Sequence, residues 1–300
     1  VVDFSDELKQ RAQVPVHVFK LLDNIPETVH PMAQLSIAVL AMSSESLFMR
    51  YYEEGMPRKY HWIYTMEDGI NLIARLPRVA AYIYRKRYFN GNHIEPDYTL
   101  DWAANLAHMM GYDHPDVYDL FRLYMVLHAD HEGGNVSAHT GTLVNSALSG
   151  VYHSFSAALN GLAGPLHGRA NQEVMEFLDK MCKHYGKTRL TKEEIAEFIK
   201  KTIADGLVVP GYGHAVLRAT DPRFLAQMDF AKKYIGEGKD DYIDLVHAIY
   251  EVAPPILKST GKIKNPWPNV DAHSGVLLRY YGITQQDFYT VLFGVARALG

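Results

Sequence analysis

The apolar and polar residues of this chain alternate with the period of about 3.6 residues that is typical of amphipathic helices. We find neither a sustained two-residue alternation, which would indicate strands, nor a short internal repeat. The pattern predicts an all-α fold. The predicted helices are Val14–Leu22, Met32–Met42, Tyr64–Tyr88, Leu100–Met110, Pro115–Ala129, Ser137–Ser149, Ser154–Leu162, Gln172–His184, Lys192–Asp205, Asp221–Tyr234, Tyr242–Leu257, Ala272–Tyr281 and Gln285–Leu299.

Local signals refine this prediction. Thr191 and Glu194 have the spacing of a capping box at a helix start. Small and apolar residues alternate in Ser137–Ser149 and Ser154–Leu162, so we expect both helices to be buried. Gln285–Leu299 is apolar on nearly every side, which predicts burial all round, and we expect part of its cover to come from outside these 300 residues.

Composition and charge narrow the possible classes of protein. The 300 residues carry a formal net charge of −4, so no basic field is available for nucleic acid or an anionic membrane. No apolar run reaches the roughly 18 residues of a membrane span. Cys182 is the single cysteine, which excludes an internal disulfide. The first residues resemble neither a signal nor a transit peptide and lack an initiator Met, so we expect the chain to begin inside a longer precursor.

The first candidate site is the segment LNGLAGPLHG, residues 159–168. Its glycines permit close approach of the backbone to a ligand, and Pro165 suits a first helical turn. We expect His167 at the start of the following helix, where the positive dipole end disfavours the imidazolium. A neutral His167 could donate one hydrogen bond to a developing oxyanion, although a structural histidine in a tight turn is an alternative.

A second segment, VVPGYGHAVLRATDPR, has a similar design. Its Pro-Gly turn ends in His214 and again precedes a predicted helix. Arg218 and Arg223 carry guanidinium groups suited to phosphates or carboxylates. A purely structural turn and a helix-capping arginine are the alternatives.

The third segment, NPWPNVDAHSG, places Asp271 after a rigid Pro-Trp-Pro run and before a helix. Asp is a preferred N-cap residue, so capping is one interpretation. The other is a general base, because a carboxylate fixed beside apolar walls can remove a proton from a carbon acid.

The fourth segment, LHADHEGGNVSAH, raises the question of a metal site. His128 and His131 are three residues apart, but their order matches neither common zinc-protease motif and no third ligand is fixed. We therefore predict no metal. The preferred interpretation is a polar helix end that delivers His131 and Asn135 into a pocket.

These segments, together with VLFGVARALG and LDNIPETVHPMAQLS, resemble the citrate synthases of eukaryotic type over essentially the whole chain. The resemblance implies an all-helical homodimer with a large and a smaller helical domain and the active site in the cleft between them. It places the large domain at residues 1–167, the smaller one at about 168–274, and the return of the large domain at 275–300. It also implies a helical segment before residue 1, and a tail after Gly300 whose arginine reaches the partner's active site.

The implied activity is the condensation of acetyl-CoA with oxaloacetate to citrate, the entry step of the tricarboxylic acid cycle, with acetyl-CoA as a substrate and no cofactor. By matching motifs, the catalytic residues are His167, His214 and Asp271. Oxaloacetate binding falls on His131, Asn135, Arg223 and Arg297. Coenzyme A binding falls on Leu166, Val208, Val209, Gly211, Tyr212, Gly213, Arg218 and Lys264.

Three other interpretations stay open at this stage. A 2-methylcitrate synthase would use the same residues on propionyl-CoA, since one methyl group changes binding by only about 1–3 kcal/mol. A metallohydrolase would use His128, His131 and His139. A non-enzymatic CoA-binding protein would be expected to lack one of the catalytic residues. The implied location is the mitochondrial matrix, with the peroxisome as the alternative.

Overall fold

The computed structural model describes residues 2–129, 133–214, 216–261 and 263–300, which contain fifteen α-helices and three short 3-10 turns. Extended pairing in these residues is limited to one isolated bridge, Tyr212 with Pro268. The predicted all-α fold is confirmed. The helices are α1 Val2–Arg11, α2 Val16–Asn24, α3 Pro31–Ala41, α4 Leu47–Glu53, α5 His61–Tyr88, α6 Trp102–Met110, α7 Pro115–Ala129, α8 Val136–Asn145, α9 Val151–Leu162, α10 Ala170–Tyr185, α11 Lys192–Ala204, α12 Pro222–Tyr234, α13 Asp241–Ser259, α14 Asp271–Tyr280 and α15 Tyr289–Arg297.

The chain divides into two compact units. The first contains Val1–Gly168 and Thr290–Gly300, and the second contains Arg169–Tyr289. Helix α14 packs against α10, α12 and α13, so it groups with the second unit. The domain bounds that the resemblance implies, with a return to the large domain at residue 275, stay a prediction.

In the first unit, α3 packs against α5 and α9, and α6 packs against α5 and α7. The last helix, α15, belongs to this core, since Val291, Leu292 and Val295 are fully buried. A Cβ atom on Gly294 would lie 2.9 Å from the side chain of Leu159, so glycine permits a close approach between α15 and α9. The expectation that this helix lacks part of its cover was therefore wrong.

Helices α8 and α9 pack against each other, but they differ in burial. One side of α9 is buried, as its small and apolar residues predict. In α8 only Ser137 is buried, and Val136 and Leu143 are more than half exposed. The prediction of a buried helix was thus correct for the inner side of α9 and wrong for α8.

Side-chain caps fix several helix starts that matter for the site. The Thr191–Glu194 capping box at α11 is present, as predicted. Asp221 caps α12 with Pro222 at its first position, and Asn135 caps α8. These caps satisfy backbone N–H groups that a helix start otherwise leaves without a partner.

No single helix among the described residues is long and apolar enough to cross a membrane. One bent pair, Pro31–Glu45 with Leu47–Glu53, reaches the combined length and hydropathy across a bend of 42°. In this pair Leu35, Val39 and Phe48 are buried, as expected of core helices.

Candidate active site

His167 lies in the turn between α9 and α10, three residues before α10 begins. Its backbone N–H donates to the Gly164 carbonyl oxygen, and that of Gly168 donates to the Leu162 carbonyl oxygen. A Cβ atom on Gly168 would lie 2.6 Å from that oxygen, so only glycine fits. The predicted position of His167 and Pro165 at a helix start is corrected, because both lie in the preceding turn.

The helix that faces the His167 ring is α8. The Nε2 atom lies 2.8 Å from the Ser137 hydroxyl and accepts a hydrogen bond of 3.4 Å from the Ser137 backbone N–H. Because a backbone N–H can only donate, Nε2 is an acceptor, and the neutral ring carries its proton on Nδ1. Ser137 is in the first turn of α8, so the positive end of that helix, not of α10, disfavours the imidazolium.

Asn135 and Arg297 meet at the same helix start. The Asn135 Oδ1 atom accepts a hydrogen bond from the Ala138 backbone N–H (3.0 Å) and lies 2.7 Å from the Ser137 hydroxyl, and Arg297 Nη1 lies 3.5 Å from it. Arg297 is buried, with its guanidinium 5.0 Å from the Phe293 ring. The first unit therefore brings Asn135, His167 and Arg297 together around Ser137.

The candidate metal ligands are not gathered in the described part of the chain. The His128 ring is buried, with Nδ1 2.9 Å from the Tyr124 carbonyl oxygen, and it stacks on the Tyr124 ring. His139 is exposed, and His131 lies outside the described residues. Within the described ranges, no group of three or more His, Cys, Asp or Glu residues could hold a metal ion.

His214 follows the glycine turn of the second unit, and its ring is fixed by its own loop. The Nδ1 atom accepts hydrogen bonds from the backbone N–H groups of Val216 (3.1 Å) and Leu217 (3.0 Å). Both donors are backbone groups, so the neutral ring carries its proton on Nε2. Gly213 has φ of +99°, a value that glycine adopts without strain.

The expected coenzyme A residues fall into two groups. Leu166 and Val208 expose 98% and 77% of their surface, and Lys264 is also exposed. Val209 is buried, and the Tyr212 side chain lines a small apolar cavity in which burial raises the pKa of its hydroxyl.

The glycines and the arginine of this group shape the loop. A Cβ atom on Gly211 would lie 2.8 Å from the Ala272 Cα atom, so glycine is required where the loop meets α14. Arg218 donates hydrogen bonds to the Val216 and Leu217 carbonyl oxygens.

Arg223 pairs with Asp221 in the second unit. Its Nε and Nη2 atoms donate to the Asp221 carboxylate at 3.0 and 2.7 Å, and the carboxylate also accepts from the Val270 backbone N–H. Burial alone would raise the pKa of Asp221, but the hydrogen bonds from Arg223 and Val270 lower it below its ordinary value. None of the described residues accepts a hydrogen bond from Nη1 of Arg223.

This pairing leads to a prediction for stability against pH. Because the pKa of Asp221 is lowered in the folded protein, the carboxylate stabilises the fold above its ordinary pKa of 3.8 and loses this effect as the pH falls further. Asp221→Asn should therefore lower the free energy of unfolding by about 2 kcal/mol at pH 7, and less below pH 4.

Urea unfolding between pH 7 and pH 3 measures this difference. Asp241→Asn is the control, because Asp241 forms an ion pair with the exposed Arg189 and should matter much less. A constant difference between parent and Asp221→Asn across this range would contradict the assignment.

Asp271 is the first residue of α14, and its side chain is buried. The N-cap position is Val270, which makes no side-chain capping bond, so the capping interpretation of Asp271 is wrong. The Asp271 backbone N–H donates to Asn269 Oδ1 at 2.9 Å. The carboxylate thus stands at the positive end of a helix, where a negative charge is favoured.

Three residues around these groups were not predicted as site residues from the sequence. Ser137 joins Asn135 to His167, Asp221 holds Arg223, and Asn269 contacts the Asp271 backbone. The Asp-Pro-Arg spacing could have indicated the Asp221–Arg223 pair. Ser137 gives no such signal, because its partner is 30 positions away.

A family model described as citrate synthase, C-terminal domain, matches residues 1–300. The mitochondrial citrate synthase of Daucus carota is 56% identical over 99% of this chain and 62% of its own length. A mitochondrial 2-methylcitrate synthase of Yarrowia lipolytica is 54% identical over 100% of this chain and 64% of its own length.

Solved structures agree in fold. The citrate synthase of Pyrobaculum aerophilum has a TM-score of 0.85 at 27% identity, covering 99% of this chain and 72% of that chain. The citrate synthase of Thermoplasma acidophilum, solved as a ternary complex with carboxymethyl coenzyme A and oxaloacetate, has a TM-score of 0.78 at 22% identity, covering 99% and 74%. This second likeness shows the fold alone.

The fold is thus the all-helical fold of these synthases. The chain belongs to the citrate synthase family. It spans less than two thirds of the length of its curated relatives from Daucus carota and Yarrowia lipolytica.

Proposed function

We propose that this protein condenses acetyl-CoA with oxaloacetate and hydrolyses the resulting citryl-CoA to citrate and CoA. The observation that carries the proposal is the fixed tautomer of two histidines. The Ser137 backbone N–H donates to Nε2 of His167, so the neutral ring carries its proton on Nδ1. The Val216 and Leu217 N–H groups donate to Nδ1 of His214, so this neutral ring carries its proton on Nε2. Each ring can therefore donate one hydrogen bond to a substrate oxygen.

The first step forms a carbon nucleophile. Asp271 removes a proton from the thioester methyl group of acetyl-CoA, while the Nδ1–H of His167 donates a hydrogen bond to the thioester oxygen. This bond stabilises the negative charge that develops on that oxygen, so the carbon nucleophile is a hydrogen-bonded enolate and not a free one. A neutral donor suits this step, and the start of α8 favours the neutral ring.

The second step forms the carbon–carbon bond. The enolate carbon attacks the ketone carbon of oxaloacetate, and the Nε2–H of His214 is transferred to the ketone oxygen, which becomes the hydroxyl group of citryl-CoA. Water then adds its oxygen to the thioester carbon and returns a proton to Nε2 of His214. The carbon–sulfur bond breaks as the proton held by Asp271 passes to the sulfur, and citrate and CoA leave.

Substrate binding follows from the charged and exposed groups. Arg223, Arg297, His131 and Asn135 would hold oxaloacetate, since a guanidinium matches a carboxylate in charge and geometry. Positioning of this kind supplies much of the rate gain of a two-substrate reaction. CoA would contact Leu166, Lys264 and the loop from Val208 to Gly213 with Arg218.

A second candidate function is 2-methylcitrate synthase. The Yarrowia lipolytica relative carries that name and is about as similar to this chain as the Daucus carota citrate synthase. With oxaloacetate present, we expect the purified protein to release CoA from acetyl-CoA with a kcat/KM at least about tenfold above that for propionyl-CoA. Thiol release measured with each acyl-CoA, and without oxaloacetate as the control, tests this. Faster turnover of propionyl-CoA would favour the second candidate, and release from neither would contradict both.

We further propose a homodimer in the mitochondrial matrix. The exposed apolar side chains of α3 and α8 support self-association, with Ile37, Leu40, Val136 and Leu143 between 38% and 62% exposed. The relatives from Daucus carota and Yarrowia lipolytica are named mitochondrial, which supports this location over the peroxisome.

A further inference from the structure

One asparagine side chain lies between two catalytic segments of the second unit. The Asn269 Nδ2 atom donates to the Gly213 carbonyl oxygen at 3.0 Å, and its Oδ1 atom accepts from the Asp271 backbone N–H at 2.9 Å. Gly213 immediately precedes His214. A single amide group therefore contacts the backbone on both sides, beside the proposed proton donor and at the proposed base.

The backbone reinforces this connection. The Asn269 N–H donates to the Gly211 carbonyl oxygen at 2.8 Å, and the Gly213 N–H donates to the Trp267 carbonyl oxygen at 3.0 Å. Residues 211–213 and 267–269 thus run side by side for a short distance, and the isolated bridge between Tyr212 and Pro268 lies in the same stretch.

The orientation of the amide is fixed by its partners. One partner is a backbone carbonyl, which can only accept, and the other is a backbone N–H, which can only donate. Aspartate, which has the same shape, offers two acceptors and no donor, so it cannot make both contacts. The pair of contacts therefore requires the amide group.

We propose that Asn269 is a positioning residue that sets the distance between the His214 loop and the Asp271 helix start. The inference rests on the proposed function for its effect on catalysis, but the connection between the two segments does not. Asn269 acts on these two groups through the backbone, at Gly213 beside His214 and at Asp271 itself. Because the proton donor and the base must both meet their substrate atoms, loss of this connection misplaces one relative to the other.

Two substitutions separate the two contacts. Asn269→Ala removes both, while Asn269→Asp keeps an oxygen for the Asp271 N–H and turns the other oxygen towards the Gly213 carbonyl. In hydrogen–deuterium exchange, we expect Asn269→Ala to accelerate exchange in residues 208–217 and 267–275. Asn269→Asp should accelerate it mainly in 208–217.

The chain offers a matched control in Asn105. Its Oδ1 accepts from the Asp97 N–H at 3.1 Å and its Nδ2 donates to the Asp97 carbonyl oxygen at 3.0 Å, so it makes the same two kinds of contact in the first unit. Asn105→Ala should cost stability through the same loss of hydrogen bonds. It should leave exchange in 208–217 and 267–275 unchanged.

Steady-state kinetics give the catalytic readout. We expect kcat to fall about 10- to 100-fold in both Asn269 variants. The KM for oxaloacetate should change less than about threefold, because the carboxylate-binding arginines are untouched. Asn105→Ala should keep the kcat of the parent.

The outcomes are distinct. Unchanged exchange in 208–217 for Asn269→Ala would overturn the connection, whatever the activity. Accelerated exchange with an unchanged kcat would overturn the positioning role. If the parent releases no CoA from either acyl-CoA, the proposed function fails, and exchange alone decides whether Asn269 joins the two segments.

Discussion

Asp271→Asn is expected to lower the rate of condensation by about 10² to 10⁴-fold. The carboxamide has nearly the shape of the carboxylate but cannot take a proton from the thioester methyl group. Asp271 is buried at the first position of α14, so the substitution changes the chemistry of the group with little change in packing. The loss should appear in kcat and in kcat/KM alike, as expected for an interaction made in the transition state.

Two measurements isolate this effect. Calorimetry should show that the variant still binds oxaloacetate, because the proposed carboxylate ligands are on other residues. Asp229→Asn is the control, since Asp229 is an exposed residue of α12. A variant at Asp271 that keeps the turnover of the parent would show that another group is the base.

The helix boundaries that the sequence predicted well are determined by residues next to the helix end. Helix α7 spans Pro115–Ala129, as predicted, because a proline occupies its first position and its apolar positions recur at helical spacing. The capping box of α11 is equally local. Boundaries of this kind are determined within a few residues of the helix end.

The helices that were missed depend on distant contacts or lack an apolar face. Helix α4 begins where the Asp68 carboxylate accepts hydrogen bonds from the Ser46 hydroxyl and from the Leu47 and Phe48 N–H groups, about twenty positions away in sequence. Helix α1 buries only Leu8, so its periodicity is weak. Neither cause is visible in a short window of sequence.

The candidate active site likewise has features that depend on nearby residues and features that depend on distant contacts. The sequence indicated His167, His214 and Asp271 by residue type and by their glycine and proline neighbours. It could not indicate the tautomer of His167, because Ser137 lies on another helix. It also assigned the helix dipole at His167 to α10, whereas the helix in contact with the ring is α8. The catalytic assignment of these three residues stays a prediction, and the position of the proton on each histidine ring could be assigned only from the fold.

The second large effect is expected at His214, where two substitutions divide the functions of its two ring nitrogens. Asn places an oxygen near the position of Nδ1, so His214→Asn should keep the bonds from the Val216 and Leu217 N–H groups and lose the Nε2–H. Loss of the proton donor should lower kcat by about 10² to 10⁴-fold. His214→Gln instead keeps an N–H near the Nε2 position and loses the acceptor for the loop.

Hydrogen–deuterium exchange in residues 208–217 and steady-state kinetics should therefore separate the variants. We expect His214→Asn to exchange like the parent and to be nearly inactive, and His214→Gln to exchange faster in this loop. If His214→Asn keeps the turnover of the parent, the ring serves only to close its own loop, and the ketone oxygen of oxaloacetate takes its proton from another group. If residues 208–217 of His214→Asn also exchange faster than in the parent, this variant loses both the proton donor and the order of the loop. That result would contradict the tautomer assigned from the Val216 and Leu217 N–H groups.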